Sequence, residues 1–201
     1  MGEKERESAP EVKAEEEHHQ QPHAEYSHFT DVGTKSAAYA QLLAALEALV
    51  ESQRNWVCNL ANAASLLWHM YRALPAYVSS QARAVNWAGF YVLDPTSNPP
   101  TQLILGPFMG KVACQTIVLG KGVCGTAASA GKSLVVPDVE AFPGHIACDG
   151  ETKSEIVVPI HAGAKVVGVI DIDCAELNGF DEQDREGLEK VAALLGASCD
   201  W

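Results

Sequence analysis

Thiols and carboxylates crowd one stretch of this chain, from Lys111 to Asp173. Cys114, Cys124 and Cys148 come first, then Glu155, then Asp171 and Asp173. A thiolate is a nucleophile that can be oxidised, and a carboxylic acid donates protons, so the combination suits a sulfur redox reaction assisted by an acid. Cys148 lies in Gly144-His145-Ile146-Ala147-Cys148-Asp149-Gly150, a polar loop where substrate and solvent can reach a thiol. Asp171 and Asp173 are two apart in an apolar run, so on a strand both project from one face, opposite Ile170 and Ile172. The bland alternative is an edge strand with both acids in water. Against it, the flanking Val166-Val167-Gly168-Val169-Ile170 looks buried on both faces, which predicts a polar pocket. Glu155 opens the preceding apolar segment and is expected beside the two aspartates. Like charges held close resist ionising together, so at least one of the three acids is expected to keep a proton near neutrality. Any ionised remainder suits a cation such as an α-ammonium.

Other chemistries have weaker support. His145 could act as a base or a metal ligand, although a loop histidine is more often incidental. A zinc site from Cys114, Cys124, Cys148 and His145 is formally available. The thiols are not in the close pairs that structural zinc uses, so no metal is expected. Gly120, Gly122 and Gly125 precede a helical stretch but lack the Gly-Lys-Ser/Thr ending of a phosphate loop.

The elements that must position these groups follow from periodicity. Leu42, Leu46, Leu49 and Val50 mark one amphipathic helix, and Val57, Leu60, Ala61, Ala64, Trp68 and Tyr71 mark a second, which Pro75 ends. In this pattern Trp68 is the knob that docks the second helix on a sheet. Val85 to Leu93 reads as a central strand, with Trp87, Gly89, Tyr91 and Leu93 on one face and Ala88, Phe90 and Val92 on the other. After the turn cluster from Asp94 to Pro100, strands are predicted at Gln102 to Phe108 and Gln115 to Leu119, then a short helix at Thr126 to Ala130 and a strand at Leu134 to Val136. Glu155 to His161 and Lys165 to Cys174 form a hairpin across Ala162-Gly163-Ala164, and Asp181 caps a last helix with Leu188, Val191, Ala192 and Leu195 on its stripe. The predicted fold is an α/β domain with a largely antiparallel sheet, N- and C-terminal helices packed on one face, and the active site in loops on the other.

Composition bounds the setting. The 201 residues are 47% hydrophobic and 20% charged, which supports one domain, residues 36–198, without disulfides or metals. Residues 1–35 are rich in Glu, Lys, His, Gln and Pro and read as a disordered tail, or one ordered only by contact. Its histidines, His18, His19, His23 and His28, have no preorganised geometry for a metal. A net charge of −12 with scattered Lys and Arg gives nucleic acid little to bind. No apolar run approaches the roughly 20 residues of a membrane span, and the N-terminus suits neither a signal nor a transit peptide, so no membrane partner and a cytoplasmic location are expected. The six cysteines are then expected to be reduced at rest.

Asn86-Trp87-Ala88-Gly89-Phe90-Tyr91, Gly106-Pro107-Phe108, Ala113-Cys114, Gly122-Val123-Cys124-Gly125, His145-Ile146-Ala147-Cys148-Asp149, Ser154-Glu155-Ile156-Val157-Val158-Pro159 and Asp171-Ile172-Asp173 together resemble the GAF-fold free methionine-R-sulfoxide reductases. The resemblance covers roughly Ser36 to Leu195. It implies that Cys148 is the nucleophile, that Cys114 resolves its oxidised form, and that Cys124 lines the site as an alternate thiol. Trp87 and Tyr91 would wall the methyl-sulfinyl end of the substrate. Glu155, Asp171 and Asp173 would hold its amino group and sulfoxide oxygen, and backbone N–H groups near Ile146 and Ala147 its carboxylate. No bound cofactor is implied; a thioredoxin-like dithiol would recycle the disulfide. The order in which Cys114 and Cys124 resolve stays open, as does a homodimeric assembly. The acidic tail and the Pro-rich insertion at Pro95 to Pro100 fall outside the family pattern. The main alternative is a non-enzymatic sensor of the same fold that binds a small ligand. A sensor acts through an attached effector domain, for which this chain has no stretch of sufficient length.

Overall fold

The computed structural model describes residues 23–30, 32–75, 85–96, 98–145 and 149–201. Most of the tail and the segment holding Ile146, Ala147 and Cys148 lie outside the described residues.

Helix α1, Lys35–Val50, starts where the Thr34 side chain accepts a hydrogen bond from the Ala37 N–H, and α2, Trp56–Ala73, where Asn55 accepts one from Cys58. Both caps satisfy backbone donors that the first helical turn leaves without partners. Leu74 is extended before Pro75, as a residue preceding proline prefers, and α2 stops there. The buried face of α2 is broader than the sequence stripe suggests. Leu60, Ala63, Ala64, Leu66, Leu67, Met70 and Tyr71 are buried, whereas Val57 is 47% exposed and Ala61 faces solvent. The helix is covered on two sides, by α1 and by the sheet, so its apolar arc widens and shifts away from the first-turn valine. Trp68 sits at the margin of this core with the Arg72 guanidinium 4.0 Å from its ring centre, so Leu67, Met70 and Tyr71 are the deeper knobs.

The strands are β1, Val85–Leu93; β2, Gln102–Gly110; β3, Thr116–Val118; β4, Leu134–Val136; β5, Ser154–Ala162; and β6, Lys165–Cys174. They form one sheet in the order β3-β2-β1-β6-β5-β4, and every neighbouring pair is antiparallel. Period-two alternation sorts the side chains. Ala88, Phe90, Val92, Ile156, Val158, Ile160, Ile170 and Ile172 bury against α1, α2 and the last helix, α4, Glu182–Ser198. Trp87, Tyr91, Val157 and Val169 face the other way, towards helix α3, Gly122–Ala130. The hairpin of β5 and β6 turns at Gly163 and Ala164 and carries a register shift at Ile160 and His161.

Helix α3 begins four residues before the predicted Thr126, because its glycines serve close packing as well as turning. A Cβ on Gly125 would stand 2.3 Å from the Val118 carbonyl oxygen, so only glycine lets α3 lie against β3. Part of the segment read as tail is also packed. His23–Ser27 forms a 3₁₀ turn, Tyr26 and Phe29 lie against the helical core, and Val32 is buried.

Asp184 joins α1 to α4 from a fully buried position. Its carboxylate pairs with Lys35, accepts hydrogen bonds from Tyr39 at 3.2 Å and Tyr71 at 3.3 Å, and completes a capping box with Asp181. Burial raises its pKa and Lys35 partly offsets the shift. Asp184→Ala is expected to destabilise the fold by about 1–3 kcal/mol, because it removes the buried acceptor shared by Lys35, Tyr39 and Tyr71, leaving Lys35 with Asp181 and the two hydroxyls with each other. Urea unfolding should show this as a lowered midpoint with an unchanged slope. No helix among the described residues is long and apolar enough to cross a membrane.

Candidate active site

On the sheet face opposite α1, α2 and α4, pairing register gathers the acids. Glu155 on β5 is directly opposite Asp173 on β6, and Asp171 is opposite Val157, two residues along the same face. On the other flank of β6, Trp87 pairs with Asp173 and Gly89 with Asp171. Gly89 has no side chain for a reason: a Cβ there would come within 2.6 Å of the Trp87 ring and 2.3 Å of the Phe108 Cβ. The space goes to an aromatic stack. Trp87 lies between Tyr91, at 5.8 Å, and Phe108, at 5.3 Å, with interplanar angles of 22° and 13°.

The stack also supports the segment between β2 and β3. Trp87 Nε1 donates to the Lys111 carbonyl and Tyr91 Oη to the Cys114 carbonyl, each at 3.1 Å. Lys111 Nζ reaches Glu151 at 2.7 Å and Asp149 at 3.4 Å, tying this segment to the loop before β5. Asn86 on β1 donates to Asp149 at 3.3 Å and Thr152 at 3.0 Å, fixing that loop from below. One cavity is lined by Trp87, Tyr91, Cys114, Cys124, His145, Glu155, Asp171 and Asp173 together with Lys111, Asp149 and Thr152. Of the site residues picked from the sequence, Cys148, Ile146 and Ala147 lie outside the described residues, and all the others line this cavity.

Cys114 is disulfide-bonded in this structure. Cys58, Cys124, Cys174 and Cys199 are free. Cys124 is buried on α3, and its thiol faces Glu155 Oε1 at 3.8 Å. Burial pushes this thiol well up, and the neighbouring Asp171 and Glu155 push it further, so it stays protonated near neutrality.

All three acids titrate high. Burial is the largest cause for each. For Glu155 the charges of Asp171 and Asp173 add to it. Asp171 is raised to about 6, held back by hydrogen bonds with Cys124 and Glu155. Asp173 is raised further by Asp171 and Asp149 and held back by Thr152. The cavity thus holds a proton donor at neutral pH beside a carboxylate that is largely ionised. Asp171 Oδ1 is buried and has no hydrogen-bond partner among the described residues, so an acceptor stands ready for a ligand donor. His145 Nε2 lies 3.8 Å from Glu155 Oε2, and burial lowers the imidazole pKa, which keeps the ring neutral at pH 7. Tyr91 is raised by burial and then by the acids, so its phenol remains a donor.

Cys124 Sγ and carboxylate oxygens of Glu155 and Asp171 lie within 4.8 Å of one another, the group among the described residues that could hold a metal ion. It differs from the set of cysteines and His145 that the sequence offered. Sequence reasoning did not assign Phe108, Lys111, Asn86, Asp149 or Thr152 to the site. Adjacency to Cys114, Cys148 and Trp87 was the available signal, but the contacts of Lys111 with Glu151 and of Asn86 with Thr152 span 40 and 66 residues.

Comparison with known proteins places this cavity in a family. The GAF domain family matches residues 38–199. A free methionine-R-sulfoxide reductase of Saccharomyces cerevisiae is 54% identical over 178 residues, covering 88% of this chain and 94% of the relative. A solved GAF domain structure superposes with a TM-score of 0.82 at 53% identity, covering 89% of this chain and 97% of its own. The free methionine-R-sulfoxide reductase of Neisseria meningitidis, solved in complex with its substrate, superposes with a TM-score of 0.73 at 38% identity, covering 84% of this chain and 92% of its own. With matches of this extent running through the strands and loops that build the cavity, the chain belongs to the GAF-domain family of free methionine-R-sulfoxide reductases.

Proposed function

We propose that this protein reduces free L-methionine-(R)-S-oxide to methionine, with Cys148 as the nucleophile and no bound cofactor. The observation that carries this reading is the convergence on one cavity of a disulfide-bonded Cys114, three high-titrating acids and an aromatic stack. The Cys148 thiolate attacks the sulfoxide sulfur while the Glu155 carboxyl protonates the sulfoxide oxygen; that oxygen passes to Cys148 Sγ as the transient bond between the two sulfurs breaks, which releases methionine and leaves a sulfenic acid on Cys148. A second thiol then condenses with the sulfenic acid, releasing water and forming a disulfide. Cys114 is assigned as that thiol, since it is disulfide-bonded and lines the same cavity as the acids. Cys124, held protonated beside Glu155, is the reserve thiol.

Asp171 and Asp173 hold the α-ammonium, for which the unpartnered Asp171 Oδ1 is suited. The Trp87 and Tyr91 faces receive the methyl-sulfinyl group, and backbone N–H groups of Ile146 and Ala147 the carboxylate. A pocket that pairs both charges of a free amino acid rejects a methionine residue inside a peptide, where neither charge exists. A thioredoxin-like dithiol reduces the disulfide, in keeping with a cytoplasmic setting. Single-turnover reduction by the pre-reduced protein tests the whole reading. About one methionine per chain is expected from the R epimer and none from the S epimer or from a sulfoxide blocked at both ends. Equal turnover of the blocked compound would overturn the assignment of the ion-pairing acids.

A further inference from the structure

We infer, on the basis of the reductase reading above, that residues 111–114 at the cavity rim form the surface on which the recycling dithiol protein docks, with Val112 as its apolar centre. Val112 is 88% exposed, well above Val118 at 54%, Leu177 at 53% and Val57 at 47% among the large apolar side chains that face solvent. An isolated exposed valine needs no explanation, but this one stands two residues from the disulfide-bonded Cys114, at the outer edge of the cavity. Its surroundings match the layout of a small transient interface, in which an apolar point is ringed by polar side chains. Lys111 and Glu151 supply that ring, both solvent-exposed and paired to each other.

The segment is also presented ready-made. Its carbonyls at Lys111 and Cys114 are held by Trp87 and Tyr91, so docking does not first have to order it. Exchange begins when a partner thiolate attacks Cys114 Sγ along the sulfur–sulfur axis. The partner–Cys114 bond forms, the bond to Cys148 breaks, and Cys148 leaves as the thiolate that the next turnover needs. The second partner thiol, as its thiolate, then attacks the partner sulfur of the mixed disulfide, Cys114 leaves and takes up that thiol's proton, and the partner departs oxidised by two electrons. A partner seated on Val112 covers the cavity rim, so recycling follows methionine release.

The test compares Val112→Asp with wild type, using thioredoxin with its reductase and NADPH as the probe. Because Val112 also borders the cavity, turnover of the same variant on dithiothreitol is the reference, and against it KM for thioredoxin should rise about tenfold. Val112→Ser should give a smaller rise. Val57→Asp, the same substitution at an exposed valine on α2 across the sheet, should give none. An unchanged KM in Val112→Asp, an equal rise in Val57→Asp, or a wild type that turns over on dithiothreitol but not thioredoxin would overturn the docking surface. A wild type that forms no methionine in a single turnover would instead overturn the reductase reading.

Discussion

Cys148→Ser is expected to abolish methionine formation, leaving no product in a single turnover at any substrate concentration. A serine hydroxyl at neutral pH is neither the nucleophile nor the electron source that sulfoxide reduction needs. Cys114→Ser should behave differently. It keeps the nucleophile, so the pre-reduced variant should form about one methionine per chain and then stop or slow sharply under thioredoxin. Quenched samples should contain a dimedone-reactive sulfenic acid. The contrast between no product and one product separates the two cysteines by chemical role. If Cys114→Ser turns over at the wild-type rate on thioredoxin, the resolving function belongs to Cys124, the free thiol facing Glu155.

The second large effect concerns the acids. Glu155→Gln is expected to lower the single-turnover rate by about 100- to 10,000-fold, the range associated with loss of a positioned proton donor. The pH dependence follows from the direction of the shifts. Glu155 is raised, so it is a competent donor at neutrality and loses that role as pH rises through its folded-state pKa. Asp171 titrates at about 6, so ammonium binding should weaken, and KM rise, as pH falls below that value. Stability runs the other way. The folded pKa of Asp171 lies above its unfolded 3.8, so the native state binds more protons between 3.8 and about 6. Stability therefore falls as pH climbs through that window, and the deficit persists at neutrality. Asp171→Asn removes it. The variant should lose substrate affinity while its Tm at pH 7 rises by a few degrees, with little gain at pH 4. A lowered Tm at pH 7 would contradict the assignment of burial as the cause.

The faces of the sheet were legible because alternation is unbroken from Trp87 to Leu93 on β1 and from Gly168 to Cys174 on β6: Trp87 and Tyr91 were placed opposite Phe90, and Asp171 and Asp173 opposite Ile170 and Ile172. Glu155 could be put beside the aspartates but not given its exact partner. A three-residue link across Ala162-Gly163-Ala164 aligns Glu155 with Asp171. The structure turns at Gly163 and Ala164 and inserts a shift at Ile160 and His161, which sets Glu155 against Asp173. Without that shift the two-residue turn would align Glu155 with Ile172 and send its carboxylate to the helical face. A bulge leaves no mark in hydrophobic pattern, so only the folded hairpin reveals it. The early start of α3 escaped for a similar reason. Glycines at 122 and 125 read as breakers, whereas Gly125 is demanded by the approach of β3. Loop contacts such as Lys111 to Glu151 depend on where β2 and β5 end in space, which no local periodicity encodes.

Trp87 and Tyr91 each do two jobs with different atoms of one ring system, since their faces line the cavity while the indole N–H and the phenol hold the carbonyls of Lys111 and Cys114. On the proposed reading, the wall that meets the substrate is therefore not free to change on its own. A mutation that reshapes the aromatic wall to admit a bulkier sulfoxide also loosens the strand-to-strand segment that carries a redox cysteine.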